Sequence, residues 1–126
     1  AEEIMIVVFG LRNCDSCRRA RTWLDELNIE HRFIDYRKET LDGDMVSKWV
    51  SCLGWENIVN RRSATWRNLP SARNIGLNET SAKALMLEFP TLIKRPIIQT
   101  NSGLMIGFNE NQKAKLKSSK TGVDGT

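Results

Sequence analysis

The chain has one histidine and three cysteines among 126 residues, and no apolar run approaches the ~18 residues a membrane-spanning helix needs. No membrane partner is therefore expected. The first residues, Ala-Glu-Glu, lack the basic start of a secretory signal. An odd cysteine count with two members close together is unlike a secreted disulfide framework. Both absences point to a reducing, cytoplasmic compartment. Soft metal ligands are scarce as well. Cys14, Cys17, His31 and Cys52 are the whole set, and their spacings match no zinc pattern, so no metal is expected. Cys52, beside an apolar helix stripe, reads as core packing, and His31 as a partly exposed strand residue. Internal repeats and long linkers are missing too. The length fits about one domain, and 40% hydrophobic residues suffice for a core.

A surplus of charge is the one feature that suggests nucleic acid: the net charge is +4. Its distribution argues otherwise. With Lys113, Lys115, Lys117, Lys120 and Asp124 set aside, the first 112 residues hold 15 basic against 14 acidic side chains. The surplus belongs to a Lys/Ser/Gly tail, residues 113–126, expected to be disordered. No nucleic-acid partner is expected. The four tryptophans do not change this, since Trp23 and Trp49 fall on helix stripes and read as core.

What is present centres on residues 6–21, IVVFGLRNCDSCRRAR. A β-branched run predicts a strand over 4–9, broken at Gly10. Helix formers follow from Asp15, so Cys14 and Cys17 fall where strand gives way to helix. The first turn of a helix presents unpaired N–H groups and the positive end of its dipole, which favour a thiolate over a thiol. Arg12, Arg18 and Arg19 add nearby positive charge. Cys14 is therefore a candidate nucleophile. Cys17, on the same helical face, is a candidate resolving thiol.

The rest reads in order. Ala20, Trp23, Leu24 and Leu27 keep helical spacing, predicting a helix over 15–28. HRFIDY, residues 31–36, predicts a second strand, parallel to the first across the helical crossover. Asp42 caps a helix to Leu53 that Gly54 stops, with Val46, Trp49 and Val50 on its stripe. Residues 55–70 have no clean period and suggest short helical turns anchored by Trp55 and Trp66. Asn78 caps a third helix with Ala82, Leu85, Met86 and Phe89 inward, ended by Pro90. Residues 96–100 and 104–107 flank Asn-Ser-Gly as a hairpin, and a last short helix spans about 109–116. The order predicts an α/β sandwich with a small mixed sheet.

Four stretches, FGLRNCDSCRRARTWL, IDYRKETL, NRRSATWRNL and LMLEFPTLIKRPIIQTNSGLMIGFNE, resemble the arsenate reductase (ArsC)-like family of the thioredoxin fold, nearest its YffB-like and Spx branch. The resemblance implies a thioredoxin-like domain over 1–112 with a helical insertion at about 40–90. It also implies Cys14 as nucleophile, a cis bond before Pro96, and Arg95 and Arg62 in the same pocket. There, with Arg12, they would hold glutathione or an oxyanion in charge-assisted contacts.

The implied activity is thiol–disulfide oxidoreduction without a tightly bound cofactor. Glutathione would be the co-substrate, a glutathione or glutaredoxin-type thiol the donor, a small oxyanion or disulfide the substrate, and a monomer the working form. Arsenate reductases of this family carry a third arginine where this chain reads Gly103-Leu104-Met105-Ile106-Gly107-Phe108, so arsenate reduction is not expected. The alternative implied by the Spx members is a redox switch that docks on RNA polymerase.

Overall fold

The β-branched run before the cysteine motif forms the centre of a four-stranded sheet. A computed structural model of the chain describes residues 6–39 and 41–124, with no description of side chains beyond 118. By its contacts the chain divides into two compact units, residues 1–39 with 95–126, and residues 40–94.

In the first unit, β1 (Val7–Gly10), β2 (Arg32–Asp35), β3 (Ile97–Thr100) and β4 (Gly103–Ile106) lie in the order β2-β1-β3-β4. β1 runs parallel to β2 and antiparallel to β3, which pairs antiparallel with β4. The parallel pair follows from the crossover through α1 (Asp15–Glu26), because a helix returns the chain to the same end of the sheet. Val8, Ile98 and Met105 form a cross-strand row. Against it pack Ala20 and Leu24 of α1 and Leu116 of α7 (Glu110–Asp124). Leu24, Ile98 and Leu116 are fully buried, each contributing roughly 1.5–3 kcal/mol of hydrophobic transfer. Trp23 meets Phe108 edge to face at 5.5 Å on the rim of this core.

Several expected boundaries shift. Gly10 is not a breaker but the last residue of β1, paired with Asp35. Ile4 and Met5, expected to begin that strand, lie outside the described residues. α1 ends at Glu26, and Asn28 takes a left-handed φ of 57°, a conformation asparagine tolerates. The last helix does not stop near Leu116. It continues to Asp124, so residues 113–124 are helical where their composition suggested a disordered tail. One fully buried leucine at 116 anchors its inner face, and the lysines around it are good helix formers.

In the second unit, α2 (Gly43–Leu53) starts from Asp42, whose carboxylate accepts from Met45 N at 2.8 Å, and ends at Gly54 with φ 86°. α2 packs on α6 (Glu79–Glu88), whose cap is a reciprocal Asn78–Ser81 box. The segment without a period contains α3 (Trp55–Ile58) and α4 (Ala64–Arg67), the latter capped by Ser63. A further turn, α5 (Ser71–Asn74), has no sequence signal beyond Pro70 before it. Leu69, Leu85 and Leu92 form a small core with Trp66, Leu77 and Phe89 against it. An isolated antiparallel bridge joins Val59, just after α3, to Ile93 near the unit's end. No helix among the described residues is long and apolar enough to cross a membrane.

Candidate functional site

Cys14 occupies the N-cap of α1 in an extended conformation, after a turn in which its N–H donates to Leu11 O at 3.1 Å. That turn is held by Asp35 at the end of β2, whose carboxylate accepts from Arg12 N and Arg37 N at 2.9 Å each. Burial disfavours the Asp35 charge, but the peptide N–H groups of Arg12, Arg37 and Lys38 outweigh it and hold the carboxyl below its usual range. The sequence left Asp35 open between closing the loop beside the cysteine motif and structural capping. Its signal, a carboxylate ending the strand next to the motif strand, acquires meaning only with the parallel register.

Around the Cys14 sulfur the structure gathers Ser16, Cys17 and Arg95. The Ser16 Oγ lies 3.2 Å from Cys14 Sγ and donates to Arg95 O at 3.3 Å. The bond from Arg95 to the buried Pro96 is cis, as the resemblance implied. Burial works against the Cys14 thiolate. The Ser16 hydroxyl, the Cys17 peptide N–H and the Arg95 side chain together overcome it, lowering the thiol to about 7. Burial also opposes the Arg95 charge, but hydrogen bonds to Cys14 and to the Tyr36 phenol raise its pKa. Tyr36 is itself buried, and its phenol is pushed up by burial although Arg95 pulls it down.

Cys17 differs in every respect. It is fully buried, and a Cβ built on Gly10 would collide with its Sγ. Glycine is therefore required at position 10 for close approach of strand and helix. Burial pushes the Cys17 thiol up to about 12, and the Cys14 charge adds to it while the Leu11 N–H acts in the opposite sense.

The remaining candidates are placed differently. The Arg12 side chain is exposed in the turn, whereas its peptide N–H donates to Asp35. Arg19 pairs with Asp15 at 3.2 Å on the surface, and Arg18 is exposed. Arg62 belongs to the second unit, where it is exposed, its N–H donating to Asn60 Oδ1 and its carbonyl accepting from Arg67. Arg61 beside it lies over the Trp66 ring at 5.7 Å.

Cys52, expected in the core, is exposed. Val46, Trp49, Val50 and Leu53 cover a stripe of α2 that position 52 falls outside, so its neighbours' burial does not extend to it. The His31 ring has Nδ1 2.9 Å from Ile29 O and Nε2 3.8 Å from Asp25. Among the described residues no three His, Cys, Asp or Glu side chains are grouped to hold a metal ion.

A mixed sheet with a CxxC motif opening its first helix and a cis-proline beside it defines a thioredoxin-fold thiol protein. The chain belongs to the ArsC family, whose model matches residues 9–116. An uncharacterized protein of Haemophilus influenzae is 44% identical over 86% of this chain and 95% of its own length. The global transcriptional regulator Spx 1 of Lactococcus lactis is 34% identical over 86% of this chain and 85% of its own. The solution structure of an arsenate reductase (ArsC) related protein from Brucella melitensis is similar with a TM-score of 0.75. It is 34% identical and covers 90% of this chain and 94% of that one.

Proposed function

We propose that this chain is a thiol–disulfide oxidoreductase in which the Cys14 thiolate is the nucleophile and glutathione the thiol co-substrate. The contrast between the two motif sulfurs carries the reading. One lies at a helix N-cap with its thiol lowered to about 7, and the other is sealed beneath Gly10. On a mixed disulfide between a substrate and glutathione, the Cys14 sulfur attacks the glutathione sulfur, and the substrate leaves as its thiolate. A second glutathione thiolate then attacks the Cys14 adduct, releasing glutathione disulfide and restoring the Cys14 thiolate. The mixed disulfide and one free glutathione thiol are thereby converted into the substrate thiol and glutathione disulfide. Arg95 stabilises the thiolate, and Arg12 offers a charge-assisted contact to a glutathione carboxylate. Residues 103–108 carry no cationic side chain where arsenate reductases of the family have their third arginine, so an arsenate dianion would lack one such contact and turn over poorly.

Resolution by Cys17 requires a buried thiol to lose its proton, which favours the glutathione route. The test is mass spectrometry of the reduced protein after glutathione disulfide treatment near pH 7.5. A glutathione adduct on Cys14 is the expected result. An adduct confined to Cys52, or none, rejects the nucleophile assignment, whereas a quantitative Cys14–Cys17 disulfide replaces the glutathione route by a dithiol one.

The likeness to Spx 1 supports a second reading, a redox switch acting on RNA polymerase. Capture of the polymerase alpha subunit that differs between reduced and oxidised protein would favour the switch. Equal or absent capture leaves the enzyme.

A further inference from the structure

Ser16 stands within reach of two acceptors at once, the Cys14 sulfur at 3.2 Å and the Arg95 carbonyl oxygen at 3.3 Å. A hydroxyl carries a single proton to donate. Both contacts are satisfied together only when Cys14 is a thiol whose S–H donates to Ser16 Oγ while the Ser16 O–H donates to Arg95 O. When Cys14 ionises, its proton leaves to solvent and the sulfur becomes a strong acceptor without a proton of its own. The hydroxyl then faces a choice between an anion and a neutral carbonyl, and a charge-assisted hydrogen bond is about twice as strong as a neutral one.

We propose that the Ser16 hydroxyl is a two-position donor that turns from the Arg95 carbonyl to the Cys14 sulfur as that sulfur ionises. It thereby holds the thiolate and couples its charge to the backbone before Pro96. The proposal rests on the reading of Cys14 as the nucleophile. The geometry suits the motion. Ser16 lies in the first turn of α1, so its backbone is fixed, and turning the O–H about the Cβ–Oγ bond redirects the proton without moving the oxygen, which already reaches both atoms. The three atoms belong to two elements that meet at this point, the helix start and the chain entering β3. The Ser16 hydroxyl is also the foremost of the groups that favour the Cys14 thiolate against burial.

The experiment combines a pH series of iodoacetamide alkylation, read at Cys14 by mass spectrometry, with the Arg95 carbonyl ¹³C resonance in the full chain. Wild type, Ser16→Ala, Ser16→Thr and Cys14→Ser are compared. Ser16→Ala should move the alkylation midpoint up by about one pH unit, the size expected for one hydrogen bond to a charged group. That shift would slow the reaction at pH 7 by about fivefold while leaving its high-pH plateau within about twofold.

Ser16→Thr, which keeps a hydroxyl, should restore the wild-type midpoint. The Arg95 carbonyl resonance should titrate with Cys14 in wild type and lose most of that change in Ser16→Ala and in Cys14→Ser. An unmoved midpoint in Ser16→Ala, or a carbonyl resonance that titrates equally without the hydroxyl, overturns the proposal and leaves the nucleophile intact. A wild-type Cys14 with no midpoint between pH 6 and 8 refutes the underlying reading instead.

Discussion

The N-terminal cap of α1 and the floor beneath it, three residues apart in sequence, treat identical side chains in opposite ways. At the cap, the Cys17 N–H, a hydroxyl and a guanidinium surround Cys14 and offset its partial burial. On the floor, Cys17 faces β1 across a gap only glycine allows, with burial dominant. The difference teaches that spacing in a CxxC motif fixes neither reactivity nor role. Those depend on which sulfur the helix terminus reaches and which one the sheet covers.

Replacing the sulfurs in turn breaks the comparison most severely. Cys14→Ser should reduce thiol transfer from a glutathionylated peptide by at least about a thousandfold, whereas Cys17→Ser should stay within about tenfold of wild type. Equal losses would mean that both sulfurs are needed for turnover.

Next in size is selective labelling across pH. Cys14, with its thiol lowered to about 7, should react along a curve rising through pH 7 and level above pH 8, because only the thiolate attacks. Cys17, pushed up to about 12, should react more than about a hundredfold more slowly throughout that range. Peptide-resolved alkylation rates would decide, and comparable rates would contradict the sealed floor.

A smaller effect sharpens the contact on the floor itself. Gly10→Ala should cost about 1–3 kcal/mol of unfolding free energy, as overpacking does. Adding Cys17→Ala should recover part of that loss, since the two sites touch. Additive losses in urea denaturation would place the strain elsewhere.

The smallest effect concerns the turn that carries the cap. Asp35→Asn should destabilise by about 1–2 kcal/mol at pH 7, because one peptide N–H loses its carboxylate oxygen. The folded-state pKa of Asp35 is depressed. Its contribution is therefore complete above the unfolded value near 4 and lost as pH falls through the folded one. Denaturation curves of the two proteins should converge as the pH drops below 4, and a gap that persists there would deny the carboxylate this part.

Much of the first unit was legible in sequence because its signals are local. The β-branched run, the helical spacing from Ala20 to Leu27 and the Asn-Ser-Gly hairpin each state their element within a few residues. The cap residues Asp42 and Asn78 did the same for the second unit. What escaped depends on contacts between distant residues. Gly10 looked like a breaker until its approach to Cys17 appeared, and Asp35 stayed open between loop closure and capping until the β1–β2 register placed it beside Arg12. Ser16 reads as filler between two cysteines, and its link to Arg95 spans 79 positions. The basic C-terminal segment misled because its lysines suit a solvated helix as well as a disordered tail. Cys52 misled because adjacency to a buried stripe was taken for membership in it.

The open position of Cys52 has a practical corollary for chromogenic thiol assays. A reagent added to the folded, reduced protein will find two sulfurs rather than three, and one of those two lies outside the motif. Stoichiometry alone would then report a reactive pair where the motif supplies a single accessible atom. A Cys52→Ala background, or digestion before detection, restores the correspondence between colour and chemistry.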